Sequence, residues 1–237
     1  PLNDAESHQV YWVNLPDLGS SAEGVQIQRG VGTSTNGPGA FGATVAVNTL
    51  SASEEPMGRM AFSAGSFGTR RATLQWASGV GERGFFAEGR ASRIVSEGFV
   101  DRGSSDLMSV HTSAGSKWET GQLVYTGLWG HERTGQAWYG VPVVGLSGDS
   151  AAIAAWAGNS FEYGYGLDTV RIADLIARGR QHNYYQYADQ VDDYTQTHHQ
   201  VHIDQRLGQW DLGVALTNTL GAGYYEQFRT DDDLAHY

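Results

Sequence analysis

Gln200-Val201-His202-Ile203-Asp204-Gln205-Arg206-Leu207-Gly208-Gln209-Trp210-Asp211-Leu212-Gly213-Val214-Ala215-Leu216-Thr217 alternates two kinds of side chain across a short break. Val201, Ile203 and Leu207 oppose Gln200, His202, Asp204 and Arg206, and beyond the turn at Leu207–Gln209, Leu212, Val214 and Leu216 oppose Asp211, Gly213, Ala215 and Thr217. Successive side chains of a strand point to opposite faces, so a period of two predicts paired antiparallel strands with one apolar face. The same period runs outward along the chain. Ala72, Leu74 and Trp76 alternate with Arg71, Thr73 and Gln75, and Phe85, Ala87, Gly89 and Ala91 with Phe86, Glu88, Arg90 and Ser92. Met108, Val110, Thr112 and Ala114 alternate with Ser109, His111 and Ser113, while Leu123, Tyr125 and Trp129 share a face that Gln122 and Thr126 do not. With Arg59–Ser66, these segments make seven candidate strands, each long for an ordinary sandwich.

The connections alternate in length. Short turns fall at Phe67-Gly68, Gly79–Arg83, Ser116–Glu119 and Leu207–Gln209, and longer segments at Ser96–Asp106 and His131–Thr197. Short turns on one side and long loops on the other suit an outer-membrane barrel. The short Phe67-Gly68 turn departs from that pattern, and a soluble barrel could alternate in the same way, so the strands alone leave both open. His131–Thr197 is too long for a plain connector. Within it, Asp168 is placed to cap a helix running through Arg178, with Gly179 as its stop.

Composition narrows the choice. The 237 residues are 40% hydrophobic but only 17% charged, with 32 Gly and 12 Tyr, a mix that favours turns and strands over long helices. Cysteine is absent, which excludes disulfides and thiolate metal sites. A net charge of −11 lacks the basic footprint that nucleic acid needs. Acidic residues cluster at Asp189–Asp193 and Asp231–Asp233, both read as solvated loops. No apolar run reaches the ~18 residues of a spanning helix, a limit that does not apply to barrel strands.

Up to Thr49 the chain reads differently. An apolar run His8–Leu15 leads to a helical turn at Asp17–Ala22, a strand Val25–Gln28, a Gly-rich loop Gly30–Gly42 and a strand Thr44–Asn48. Ser51–Met57, with two Glu and Pro56, looks like a linker. Gly37-Pro38-Gly39-Ala40-Phe41-Gly42 matches G-x-G-x-x-G, but a strand follows where a dinucleotide site needs a helix N-terminus. Gly32–Gly37 lacks the Lys of a phosphate loop, His131-Glu132 lacks the second His of a zinc helix, and G-x-S-x-G is absent. His198 and His202 would share a strand face ~13 Å apart, too far to hold one ion, and are read as polar side chains on a barrel wall. No pair of carboxylates has the context for acid–base catalysis.

Val25-Gln26-Ile27-Gln28-Arg29-Gly30 and the small-residue loop that runs into Gly42-Ala43-Thr44-Val45-Ala46-Val47-Asn48-Thr49 resemble the end of the plug domain of TonB-dependent outer-membrane receptors. That family shows a strand ending in Arg-Gly, a small-residue loop, then alternating Val or Ile leading to Thr and into the barrel. Pro1–Asp4 and Asn14–Asp17 also look like plug sequence, and Gly32-Thr33-Ser34-Thr35-Asn36-Gly37 is similar to receptors common in Bacteroidota. Glu132–Pro142 and Gly223–Gln227 resemble barrel segments of the same group, so the resemblance spans nearly the whole chain.

The resemblance implies an all-β fold: part of a plugged antiparallel transmembrane β-barrel, preceded by the C-terminal part of a small α/β plug. Residues 1–50 would be the plug part, and 51–237 the first barrel strands, with a long extracellular loop at 131–197. Such plugged barrels have ~22 strands, so seven are about a third of the wall. The chain is accordingly expected to be an internal fragment, the signal peptide, the motif that engages TonB and the remaining strands lying elsewhere. The implied function is TonB-energised import of a scarce bulky nutrient (a ferric siderophore, cobalamin or a glycan) in the bacterial outer membrane. Its partners would be the TonB complex, the imported chelate or glycan and membrane lipid, with no bond chemistry, cofactor or metal. Arg29 matches the family arginine that meets barrel carboxylates. Trp138, Tyr139, Tyr163, Tyr165, Tyr184 and Tyr185 in the long loop are the candidate ligand-binding residues, because Trp and Tyr bury large area with few rotors. A soluble or surface β-rich glycan-binding protein without transport is the alternative, and a secreted β-fold hydrolase would need converging carboxylates not found.

Overall fold

The computed structural model describes residues 2–3, 7, 9–31, 42–49, 52–159, 165 and 168–228. Two sheets form. β1 (Ala22–Arg29) and β2 (Ala43–Thr49) make an antiparallel pair, and β3 (Pro56–Ala64), β4 (Arg70–Ser78), β5 (Phe85–Ser96), β6 (Ser105–Trp118), β7 (Gly121–Gly135), β8 (Val191–Leu207) and β9 (Trp210–Tyr225) form a seven-stranded sheet. Strand order in the large sheet follows chain order, every pair is antiparallel, and β3 and β9 are its open edges. A short 3-10 turn, Leu18–Ser21, precedes β1.

The period of two becomes two chemically opposite faces. One face is covered: Thr73, Glu88, Arg90, Ser92, Ser109, His111, Ser113, Thr126, Glu132 and His198 are buried there. On the other, Leu74, Trp76, Val110, Leu123, Tyr125, Val214 and Leu216 stay exposed. The register aligns these apolar residues, pairing Val110 with Trp129, Tyr125 with Val201, and Val201 with Leu216. A water-soluble sheet that covers one face buries apolar side chains there and wets the polar ones. Here the arrangement is inverted.

The histidines of β8, His198, His199 and His202, are divided between these faces. The His198 ring lies on the covered face with Nδ1 2.9 Å from Thr219 Oγ1, and His199 on the bare face with Nδ1 2.8 Å from the Tyr125 hydroxyl. His202 Nε2 lies 3.4 Å from Gln200 Oε1. Each imidazole thus has its own neighbour.

Connections at one end of the sheet are tight, with Gly208 in the left-handed region (φ 64) closing the turn between β8 and β9. At the other end the β7–β8 connection is shorter than His131–Thr197, because β7 continues to Gly135 and β8 begins at Val191. The pairing of His131 with Thr195 and Thr134 with Asp192 extends the ladder past the last apolar position, where polar alternation gave no strand signal. Pro56 and Met57, assigned to the linker, likewise open β3. Among its described residues the connection carries two α-helices, α1 (Ser150–Gly158) and α2 (Thr169–Arg178). Asp168 caps α2 by accepting from the Val170 and Arg171 amides, and Gly179 ends it. Asp149 caps α1 in the same way. Among the described residues no helix is long and apolar enough to cross a membrane.

Candidate functional site

The covered face is occupied by the segment that leads into β1. Asp17, in the left-handed conformation (φ 55) that short polar residues tolerate, accepts from its own Ser20 hydroxyl at 2.7 Å. Its Oδ1 lies 2.9 Å from Arg71 Nη2 on β4, and its Oδ2 3.3 Å from Arg90 Nη1 on β5. Arg90 also donates to the hydroxyls of Ser21 (2.6 Å), Ser92 (2.7 Å) and Ser109 (2.9 Å). Arg71 donates to Ser20 Oγ, and Gln75 Nε2 to the Ser20 carbonyl at 2.9 Å. A guanidinium almost fully removed from water needs such a set of acceptors. Further along, Gly130 admits the segment's backbone: a Cβ there would stand 2.3 Å from the Asn14 carbonyl oxygen.

Arg29 sits elsewhere. It ends β1 exposed, opposite Ala43, and makes no ion pair among the described residues. Among the described residues, a contact of the N-terminal segment with the sheet is carried by Asp17, which meets Arg71 and Arg90. The cue for this contact lay in Arg71 and Arg90 occupying the polar phase of two neighbouring strands.

The β7–β8 connection folds around a core of its own. Ile153, Ala157 and Leu175 are fully buried, Tyr165 is nearly so, and Val141, Val144, Trp156, Ile172 and Tyr184 pack against them. The unit is fastened at its base: Gln136 N donates to the Gln190 carbonyl at 3.0 Å, and Asn183 Nδ2 donates to the Gln136 and Asp101 carbonyls. From the β5–β6 loop, Asp101 forms an ion pair with Arg178, which holds its carboxyl below the usual carboxylate range. Arg102 Nε donates to the Tyr185 carbonyl at 2.9 Å.

The structure separates the candidate binding residues. Tyr165 and Tyr185 are buried (4% exposed each), Tyr165 within the core of the insert. The Tyr165 hydroxyl lies 2.8 Å from His182 Nε2, and His182 Nδ1 2.6 Å from Asp174 Oδ2. Tyr165, His182 and Asp174 thus form a hydrogen-bonded chain, with the imidazole between the hydroxyl and the carboxylate. Burial pushes the Tyr165 hydroxyl up to about 12. Tyr139 and Trp138 are 59% and 53% exposed, and Tyr184 is half-buried between Tyr139 and Tyr165. Trp138 bridges Tyr185 and Tyr225 at the end of β9. Tyr163 lies outside the described residues, as do most of the Gly-rich loop and Asp231–Asp233. A cavity of about 470 Å³ opens beside these rings, lined by Tyr139, Gly140, Pro142, Val143, Val144, Trp156, Tyr165 and Tyr184. Trp156 belongs with the aromatics that the long loop offers for ligand, whereas nothing in the local sequence marks Val143 and Val144.

A polar covered face and a bare apolar face are attributes shared with a membrane barrel wall. The fold is a sheet of seven antiparallel strands with the N-terminal segment packed against its polar face. No protein-family model matches the chain, and no curated protein is significantly similar to it. Solved structures are similar. The open form of the ferric-catecholate import receptor Fiu from E. coli K12 aligns with 85% of this chain and 28% of its own, at a TM-score of 0.59 and 18% identity. P. aeruginosa FpvA in complex with a heterologous pyoverdine and iron aligns with 88% of this chain and 26% of its own, at 0.62 and 12%. FpvAI in its complex with pyocin S2 aligns with 82% and 24%, at 0.55 and 13%. The chain thus spans about a quarter of the length of these receptors, and at such identities they share its fold.

Proposed function

We propose that this chain forms part of a plugged outer-membrane β-barrel that imports a scarce bulky nutrient with energy delivered by TonB. The observation that carries the reading is the inverted sheet, with charged and hydroxyl side chains enclosed on one face and large apolar ones bare on the other. In lipid the bare face costs nothing, whereas a charge on it would cost ~2–4 kcal/mol at the midplane. Both unpaired edges, β3 and β9, would be satisfied by further strands of a closed wall. Residues 1–50 are then the end of the plug, and the β7–β8 connection lies outside the cell, where ligand arrives.

The similar receptors carry ferric catecholate or pyoverdine-bound iron, which favours a ferric chelate over cobalamin or a glycan as cargo. The protein does no bond chemistry in this reading. Its work is capture and release.

The test uses cells that make the full-length protein. Tyr139→Cys should react with a membrane-impermeant maleimide on intact cells, and uptake of a radiolabelled ferric chelate should stop when TonB is deleted or the proton gradient is collapsed. A protein that fractionates as soluble without detergent, or uptake indifferent to TonB, would overturn the reading.

A further inference from the structure

We infer that the helical insert of the β7–β8 connection carries a binding site for a neutral, ring-sized apolar group, in the cavity between Tyr139, Trp156, Tyr165 and Tyr184. The inference rests on the reading of this connection as ligand-facing and adds the chemistry that it selects. The cavity volume of about 470 Å³ falls within the ~300–1,000 Å³ usual for small-molecule sites. Its walls are built on packed structure: Tyr165 and the fully buried Ile153, Ala157 and Leu175 form the core behind it.

The rings hold one another. Trp156 meets Tyr165 edge-to-face at 5.1 Å, Tyr165 meets Tyr184 at 5.7 Å, and Tyr184 meets Tyr139 at 4.8 Å. The His182–Asp174 pair fixes the Tyr165 ring from behind through its hydroxyl. A guest would therefore freeze few side-chain rotors, and preorganisation of this kind raises affinity. The mouth is open, since Val143 at the rim is 82% exposed and Tyr139 is 59% exposed.

Charge decides the guest. Among the described residues no Asp, Glu, Lys, Arg or His lines the cavity, so a charged group would lose its hydration without gaining a partner from its lining. The Arg171 guanidinium already lies over the Tyr184 ring, 4.3 Å from its centroid, and would repel a second cation seeking that ring. A neutral aromatic or alicyclic moiety, as part of a larger ligand, meets none of these costs.

The experiment compares three probes of one shape on the full-length protein in lipid nanodiscs: neutral 2-naphthol, anionic 2-naphthoate and cationic 2-naphthylmethylammonium. Saturation-transfer NMR measures affinity for the natural protein, for Gly140→Phe and for the bare-face control Leu216→Ala. Gly140 lines the cavity, and an added Cβ there meets nothing within 4 Å, so a side chain can start there without a clash. The neutral probe should bind at least about tenfold more tightly than either ion, and Gly140→Phe should weaken it by about tenfold while Leu216→Ala leaves it unchanged. Near-ultraviolet circular dichroism checks that the insert remains folded, and Val143→Trp at the rim serves instead if Gly140→Phe disturbs it. Equal binding of the charged probes, or neutral binding indifferent to the filled cavity, would overturn the inference. If import persists in that case, only the chemistry of the cavity is refuted. If the neutral probe binds as stated but import is absent, the transport reading fails and the cavity stands.

Discussion

Asp17 Oδ2 lies 3.3 Å from Arg90 Nη1, and both side chains are almost wholly out of water, at 8% and 3% exposure. They belong to parts of the chain that are far apart in sequence, so the pair ties the N-terminal segment to the middle of the sheet. Arg71 takes the other carboxylate oxygen. Asp17 therefore pairs with two neighbouring guanidinium groups at once. Removing one partner of such a group strands the rest, which costs about 3–5 kcal/mol when the pair is buried.

Asp17→Asn should accordingly loosen residues 9–31 while leaving the seven-stranded sheet intact. Hydrogen exchange in β1 should rise, with exchange in β6 and β7 unchanged. The double variant Asp17→Asn/Arg90→Gln should recover part of the loss, because it no longer buries an unmatched cation. Uniform protection in all three proteins would show that the contact does not hold the segment.

Gly130→Val tests the same seating by shape. Its Cβ would fall 2.3 Å from the Asn14 carbonyl and 2.8 Å from Pro16 Cδ, so the segment must lift. Gly213→Ala is the control, as its nearest new neighbour is 3.6 Å away. Limited proteolysis should cut Gly130→Val near residues 14–16 and spare Gly213→Ala.

Val214 and Ala215 are adjacent on β9 but point to opposite faces, Val214 pairing with Ile203 and Ala215 with His202. Val214→Arg should reduce the amount of assembled, heat-modifiable barrel in the outer membrane, by a free-energy cost of ~2–4 kcal/mol if the site lies at the midplane. Ala215→Arg should be tolerated. Equal tolerance would mean that the bare face does not meet lipid.

Tyr165 makes the insert sensitive to alkali. Its folded pKa is raised by burial to about 12 from an ordinary value of 10.0. Between these values the unfolded insert loses its phenolic proton while the folded one retains it, so stability is intact below pH 10 and falls as pH rises towards 12. Ultraviolet phenolate absorbance should show a late-titrating component near pH 12 that Tyr165→Phe removes. Titration complete near pH 10 would contradict its burial.

Much of this architecture was written in local pattern. Strands β4 to β9 follow from alternation, and α2 from the Asp168 cap and Gly179 stop, because those signals act within a few residues. α1 escaped notice because Ser150-Ala151-Ala152-Ile153-Ala154-Ala155-Trp156-Ala157-Gly158 is apolar all round and presents no periodic contrast. Asp17 was legible only as a turn residue, since what makes it a tether are Arg71 and Arg90, placed by the register of strands it does not touch in sequence. Among the loop aromatics, sequence could not sort the packing ring of Tyr165 from the exposed ring of Tyr139, for burial depends on which helix lies behind each.

The β7–β8 connection bears on how the sheet is built. Each other neighbouring pair in the large sheet is joined through a short loop, whereas β7 and β8 must meet across residues 136–190. Loop closure rises as 1.5RT ln n, so this one pairing carries roughly 2–3 kcal/mol more entropy than a two-residue hairpin. The insert lessens that burden, because its helices gather the intervening chain and Gln136 and Gln190 clasp its two ends. Early folding of the insert would thus bring β7 and β8 into register. A destabilised insert core, as in Leu175→Ala, is predicted to delay assembly at this single junction, stalling the growing wall after β7 while the strands before it zip at their normal rate.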